Sequence, residues 1–246
     1  MPLLDTELDQ VNLPNSHYGY SATRLEELGA TEYTIATIVA DVSGSTAAFV
    51  ADMESAIMKI VQACKFSPRA DNLLLRLVTF DDSISELHGF KLLENCNLSD
   101  YGGLLRSGGS TALYDATENA VASTSSYGQR LASGDFSANA ILFVITDGMD
   151  NVSKSTAKRV RDALNTAINT EVLESIVSIL IGVNVQEAEV SRYLKHFHQE
   201  AGFTQYIELD KADAKTLSRL AEFVSQSISA QSQSLGTGGP SQPLVF

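Results

Sequence analysis

Apolar and polar positions alternate along this chain in two textures. Tyr33 to Ala40 (YTIATIVA) is β-branched and nearly continuously apolar, as a strand covered on both faces requires. Phe49, Met53, Ile57, Ile60, Val61 and Cys64 follow at helical spacing, and Pro68 closes that segment. The alternation then repeats. Leu73 to Phe80 is a second strand, Asp81-Asp82-Ser83 supplies a turn, and Ile84 to Phe90 folds back as a short antiparallel edge strand. Ala112 to Ala132 reads as helix, Ala140 to Thr146 as buried strand, and Ser155 to Ile168 as helix. Ile176 to Val183 is a strand, Glu187 to Glu200 a helix with Gly202 as left-handed cap, and Phe203 to Leu209 the last strand. Ala214, Leu217, Leu220, Ala221, Val224 and Ile228 stripe a final helix.

Strands alternating with helices predict an α/β fold: a doubly wound, Rossmann-like, mostly parallel six-stranded sheet with one antiparallel edge strand and helices on both faces. Residues 1–30 lack a clean period and read as an irregular arm, with one or two helical turns at Thr23 to Leu28. Residues 31–230 form the domain. Residues 231–246 (QSQSLGTGGPSQPLVF) are rich in Gln, Ser, Gly and Pro and predict a disordered tail, whose apolar ending Pro243 to Phe246 is expected to fray.

Composition narrows the function classes. With 17 basic and 30 acidic residues the net charge is −13, which disfavours nucleic acid and anionic membrane as general partners. Hydrophobic residues at 44% suit a packed globular domain. Cys64 and Cys96 are too few for a disulfide framework, and Cys64 falls on an apolar helix face, so reduced thiols are expected. The first ten residues carry acids instead of an apolar run, and no apolar stretch approaches the roughly 20 residues that span a bilayer. A soluble, cytoplasmic protein is the expectation.

The chemistry is expected just beyond the strand ends, where ligands of doubly wound sheets bind. After the first strand comes Asp41-Val42-Ser43-Gly44-Ser45, and after the fourth Asp147-Gly148-Met149-Asp150. Between them, Gly108-Gly109-Ser110-Thr111 opens a helix. In an extended segment alternate side chains share a side, so Asp41, Ser43 and Ser45 line one face of the strand's exit. Val42 turns to the core, and Gly44 lets the chain bend into the helix. Thr111 adds a fourth oxygen and Asp147 a fifth. Hard oxygen donors without His or Cys suit Mg²⁺, with Mn²⁺ or Ca²⁺ as alternatives, and not zinc.

Each of these residues also has a plainer reading. Asp41 and Ser45 are ordinary helix-capping types. Asp81 and Asp82 read as turn residues, Asp150 as solvated, and Asp115 as an acid favoured by a helix N-terminus. His196 and His198, two apart on a helix, face away from each other and read as surface residues.

Taken together, DVSGS at 41–45, the loop carrying Thr111 and ITDG at 145–148 resemble a von Willebrand factor A (VWA) domain, in particular stand-alone intracellular bacterial members. The strand and helix order extends the resemblance over residues 31 to 230. In that family the three pieces make a metal ion-dependent adhesion site (MIDAS). The resemblance implies that Ser43, Ser45 and Thr111 coordinate a divalent cation directly, that Asp41 and Asp147 act mainly through coordinated water, and that an acidic residue of a partner protein completes the shell. Many relatives read Gly-Gly-Thr where this chain has Gly109-Ser110-Thr111, so Ser110 is an alternative ligand to Thr111.

The implied function is a non-enzymatic, metal-dependent protein-binding module, a recruitment or assembly subunit of the kind found beside AAA+ ATPases. Given the chain's negative charge, the partner's carboxylate is expected in a neutral or basic surround. An Mg²⁺-dependent phosphatase or phosphotransferase is the enzymatic rival. It needs a general acid two residues after the first Asp, where this chain has Ser43, and Ser43 as nucleophile would need a base that these motifs lack. A structural subunit with a vestigial metal site is the third reading. In some relatives sliding of the last helix changes partner affinity, and here that helix leads directly into the tail.

Overall fold

The computed structural model describes residues 8–14, 16, 18–170, 172–239, 241 and 243–246. Eight strands form its sheet: β1 (Asp9–Val11), β2 (Tyr20–Ala22), β3 (Glu32–Asp41), β4 (Leu73–Phe80), β5 (Ile84–Leu92), β6 (Ser137–Thr146), β7 (Ile176–Gly182) and β8 (Gln205–Glu208). Their order across the sheet is β1-β2-β5-β4-β3-β6-β7-β8. The five helices are α1 (Val50–Lys65), α2 (Leu113–Ser133), α3 (Ala157–Asn169), α4 (Ala188–Ala201) and α5 (Ala214–Thr237).

The centre of the sheet follows from the apolar runs. β3 lies between β4 and β6, parallel to both, with Asp41 level with Phe80 and Ala40 level with Ile145. Its alternate residues serve two layers. Ala36, Ile38 and Ala40 pack with Met53, Ile57 and Ile60 of α1 and Leu217, Leu220 and Val224 of α5. Val39, with Leu142 and Val144 of β6, packs against α2, α3 and α4 through Leu113, Val160, Leu164 and Leu194. Each Val, Leu, Ile or Met side chain among them, taken wholly out of water, contributes roughly 1.5–3 kcal/mol, so both faces are firmly held. From β3 the chain winds outward through α1 to β4, then crosses by α2 to β6 on the other side. The winding therefore reverses at β3 and β6, and a crevice opens at their carboxyl ends.

Three expectations need correcting. The sheet has eight strands, not six, because the arm contributes β1 and β2. β5, antiparallel to β4, is consequently not the edge: β2 lies alongside it in parallel through Ala22 and Phe90. Gly89 permits this approach, since a Cβ there would stand 2.0 Å from Ser21 O. Side chains join the two strands. Glu86 of β5 accepts hydrogen bonds from Ser21 N and Ser21 Oγ, at 2.9 and 2.5 Å, and pairs at 2.6 Å with Nε of the wholly buried Arg76. Thr23 to Leu28 contains a single 3₁₀ turn, Leu25–Glu27. Met1 to Glu7, Asn15 and His17 lie outside the described residues.

The third correction concerns the tail. The last helix does not stop near residue 230 but runs to Thr237, where Gly238 (φ 67°) ends it. The first two residues of the extension, Gln231 and Ser232, are polar yet buried, while Gln233, Gly236 and Thr237 are exposed. Thr34 Oγ1 donates to Asn139 Oδ1 at 2.7 Å, and Asn139 Nδ2 donates to Gln231 O at 2.7 Å. Gln231 Nε2 in turn donates to Ala140 O and Ser175 Oγ. Beyond the helix, Leu244 packs on the core and Phe246 meets Phe223 edge-on at 5.5 Å, so the apolar ending is docked, not frayed. Among the described residues no helix is long and apolar enough to cross a membrane.

Candidate metal centre

At the crevice, β3 delivers Asp41 with no solvent exposure, and the chain turns at once so that Ser43 N donates to Asp41 Oδ1 at 2.8 Å. Thr146, the last residue of β6, donates its hydroxyl to Asp41 Oδ2 at 2.6 Å. Both oxygens of this carboxylate are thus fixed, one by the local turn at Ser43 and the other by Thr146 of the neighbouring strand β6. Ser43 Oγ lies 3.1 Å from Ser45 Oγ, and Ser45 Oγ donates to Asp147 Oδ1 at 2.7 Å. Asp41, Ser43, Ser45 and Asp147 therefore form one continuous polar cluster.

This cluster does not cap α1. A 3₁₀ turn, Gly44–Ala48, intervenes, and the residue before α1 is Phe49, which makes no side-chain capping bond. The capping alternative for Asp41 and Ser45 therefore fails at that helix. Gly44 is not in the left-handed region either. The left-handed glycine of the site is Gly109 (φ 70°), where a Cβ would meet Asp82 Oδ2 at 3.0 Å.

The loop carrying Thr111 is laced to the same rim by its backbone. Gly44 N donates to Gly109 O at 3.1 Å and Gly108 N to Val42 O at 2.9 Å. Thr111 is buried, with its N–H on Asn151 Oδ1 at 2.8 Å, and Asn151 N donates back to Thr111 O at 3.0 Å. Ser110, partly exposed, donates its N–H to Asp82 Oδ1 at 2.5 Å. The structure thus joins Asp41, Ser43, Ser45 and Asp147 by hydrogen bonds, and ties the loop of Thr111 to the same turn through the backbones of Gly108 and Gly109.

Several residues read from the sequence as passive instead build the loops. Asp82 holds Ser110. Asp150 accepts Tyr114 N at 3.1 Å and Ser153 N at 3.2 Å, and so serves the N-terminal turn of α2. Asp115 accepts Ser155 N at 2.7 Å and Lys154 N at 3.1 Å. Thr146 and Asn151 were not singled out at all. A helix start and a sharp loop leave backbone N–H groups without intrahelical partners, and apart from Ser153 N on Asp150 the acids that take them up lie far away in sequence, so no local signal marked them.

Electrostatics distinguish the two central acids from these. Burial pushes the Asp41 carboxyl up to about 6 against the pull of the Thr146 and Ser43 hydrogen bonds, and the Asp147 charge adds to the rise. Burial also raises Asp147, while the Ser45 hydroxyl opposes it. Neither acid belongs to an ion pair among the described residues. No group of three or more His, Cys, Asp or Glu side chains there is arranged as a metal cluster. The converging donors are two hydroxyls and two uncompensated carboxylates, a hard-oxygen set whose charge matches a divalent cation.

No protein-family model and no curated protein matches the chain. Solved structures do. The PilB minor pilin from Streptococcus sanguinis superposes with a TM-score of 0.55 at 15% identity, over 86% of this chain and 64% of that one. The pilus adhesin SpaC from Lactobacillus rhamnosus GG gives 0.58 at 10% identity, over 82% and 31%. Proximal thread matrix protein 1 from the mussel byssus, in a structure with a zinc-occupied MIDAS motif, gives 0.54 at 18% identity, over 80% and 46%. The chain spans less than two thirds of the length of each. At these identities the likeness concerns the fold, and the fold is VWA-like.

Proposed function

We propose that this chain is a non-enzymatic, metal-dependent protein-binding module. Ser43, Ser45 and Thr111 would hold a divalent cation directly, and Asp41 and Asp147 would hold it through water. The observation that carries this reading is the buried Asp41, fixed through both oxygens yet without a countercharge, beside the converged oxygens of Ser43, Ser45 and Asp147. A bound cation supplies an electrophilic position that accepts a carboxylate of the partner. The chain's own residues set that position. Thr146 and Ser43 N keep Asp41 from turning away, Asp82 and Asn151 fix the Ser110–Thr111 loop, and Ser45 ties Asp147 to the first motif.

Turnover has little support. Ser43 Oγ is hydrogen-bonded to Ser45 Oγ and to no base among the described residues, so nothing there activates it as a nucleophile. Both cysteines, Cys64 and Cys96, are buried, which suits a reducing compartment, where a recruitment or assembly role beside an AAA+ ATPase fits. The mussel protein's zinc keeps the metal's identity open, so the test uses several ions. Calorimetric titration of Mg²⁺, Mn²⁺, Ca²⁺ and Zn²⁺ into wild type and the Asp41→Ala/Ser43→Ala variant should show binding only to wild type. Affinity capture with and without EDTA should lose the same partner that the variant loses. Capture indifferent to both would sink the metal bridge, and phosphate-ester turnover with Mg²⁺ would restore the enzyme.

A further inference from the structure

α1 and α5 cover one face of the sheet, and the core they bury takes in Val177 and Ile179 of β7. Leu244, from the ending of the chain, packs on this same core. Ser241 Oγ lies 2.6 Å from Ser175 Oγ, which also accepts from Gln231 Nε2 at 2.9 Å. Further on, the Phe246 ring meets Phe223, about two turns back along α5 from Gln231. The ending thus runs along α5 in the direction opposite to the helix.

Its hold is slight. Val245 is 94% exposed and Phe246 36%. Among the described residues no main-chain hydrogen bond ties residues 241 and 243–246 to the rest of the fold. Two partly buried side chains repay little more than the ordering of the backbone that carries them, so docked and released states lie close in free energy. Release would uncover Phe223.

The helix face that the ending meets continues past it. Lys215, Arg219 and Phe223 stand four residues apart, a single stripe with a step of about 6 Å along the axis. The Arg219 guanidinium lies over the Phe246 ring, 5.2 Å from its centre. Lys215 and Arg219 are exposed, and among the described residues neither has a carboxylate partner. In a chain with 30 acids against 17 bases, two such cations in one stripe are conspicuous. The acids nearest them on α5 are placed elsewhere: Asp213 caps Thr216 N, and Glu222 lines a hollow towards Lys59 of α1. The chain's own ending therefore covers the apolar end of the stripe and offers no acid to its basic end.

We propose that this stripe is an interaction surface for a partner segment of the pattern Leu-x-Phe-x-Glu, which displaces the chain's own ending. Alternate residues of an extended segment recur about every 6.8 Å, close to the step of the stripe. The partner's Leu and Phe take the places of Leu244 and Phe246, and its acid, two residues on, comes level with Lys215. Arg219 serves both, stacking on the ring and pairing with the acid. The surface needs no cation, so the inference stands apart from the metal-dependent reading.

The test uses two synthetic peptides, one repeating residues 241–246 and then Ser-Glu-Glu, the other ending in Ser-Gln-Gln instead. Fluorescence anisotropy follows their binding to the full chain and to a released variant, Leu244→Ser/Phe246→Ala, in EDTA so that no glutamate is held at the metal centre. The released variant should bind the acidic peptide about threefold to tenfold more tightly than the control, and more tightly than wild type does. Adding Lys215→Gln/Arg219→Gln should remove that preference. The chain contains no Trp, so Phe246→Trp is a sole reporter of the ending. The acidic peptide should shift its emission to the red, towards that of Val245→Trp at the exposed neighbouring position. Equal binding of the two peptides, a preference that survives loss of both cations, or an unmoved emission at saturation overturns the assignment. Failure of the released variant to bind either peptide overturns it outright, and dimerisation of that variant would give the surface to a second copy instead.

Discussion

Asp41→Asn should stabilise the metal-free protein. The wild-type carboxylate is buried without a countercharge, and its proton affinity rises from 3.8 to about 6 on folding. The sign follows from proton binding. The folded state holds the proton more tightly than the unfolded one, so stability falls as pH rises from about 4 to about 6 and stays low above that. A shift of about two units is worth about 3 kcal/mol, the ceiling on the gain from removing the charge at neutral pH. The amide loses little of the local hydrogen bonding. Its oxygen can accept from Ser43 N, and its NH₂ can donate to Thr146 Oγ1, whose own proton has Gly148 O as an alternative acceptor at 3.3 Å. A gain of at least about 1 kcal/mol is expected, or about 2–4 °C in Tm for a chain of this size. Differential scanning calorimetry in EDTA across pH 4–8 measures it. The variant should melt higher than wild type at neutral pH and lack the fall between pH 4 and 6. Excess divalent cation should reverse the order, since a ligand at a hundred times its Kd adds about 2.7 kcal/mol to wild type alone. A variant melting below wild type in EDTA, with the acid-side slope intact, would refute the account of Asp41.

Three further outcomes follow from the same geometry. Thr111→Ala should abolish the cation-induced rise in Tm while Ser110→Ala retains it; the opposite pattern would make Ser110 the ligand. Glu86→Gln leaves the buried Arg76 guanidinium without its countercharge and should cost about 3–5 kcal/mol in urea unfolding, whereas a loss under 1 kcal/mol would show that Asn119 and the Phe90 ring suffice. A chain ending at residue 230 strips Asn139 Nδ2 and Ala140 O of their partners, at about 1–3 kcal/mol each, so its calorimetric melt should move down by several degrees.

The sheet's centre was legible because β3, β4, β6 and β7 are buried on both faces and so carry long apolar runs. β1 and β2 were not, since strands of three residues are too short to show a period, and side chains and Gly89 hold β2 in place instead. The end of α5 was misread because its Gln and Ser residues look like linker composition. Gln231 is buried against Asn139 of β6 and Ser232 against Arg69, and only these tertiary pairings give them a reason. At the site, alternation beyond β3 pointed to Asp41 and Ser43, whereas Ser45 lies in the 3₁₀ turn Gly44–Ala48 and reaches Ser43 and Asp147 from there; order along the chain pointed to Asp147. What it could not show is that Thr146 would clasp Asp41 or that Asp82, Asp115 and Asp150 would hold backbone N–H groups, because each bond joins segments distant in sequence.

The N-terminal hairpin has a consequence for solubility. β2 meets β5 at one paired position, and the close approach at Gly89 leaves no room for a methyl group. Gly89→Ala would therefore lift the hairpin from the sheet while leaving the central strands intact. The uncovered flank of β5 would then offer unpaired backbone groups beside Leu87 and Phe90, a template on which another chain can add a strand. The arm thus replaces the nine-residue edge that β5 would present with the three-residue β1, and a chain beginning at residue 31 should assemble edge to edge.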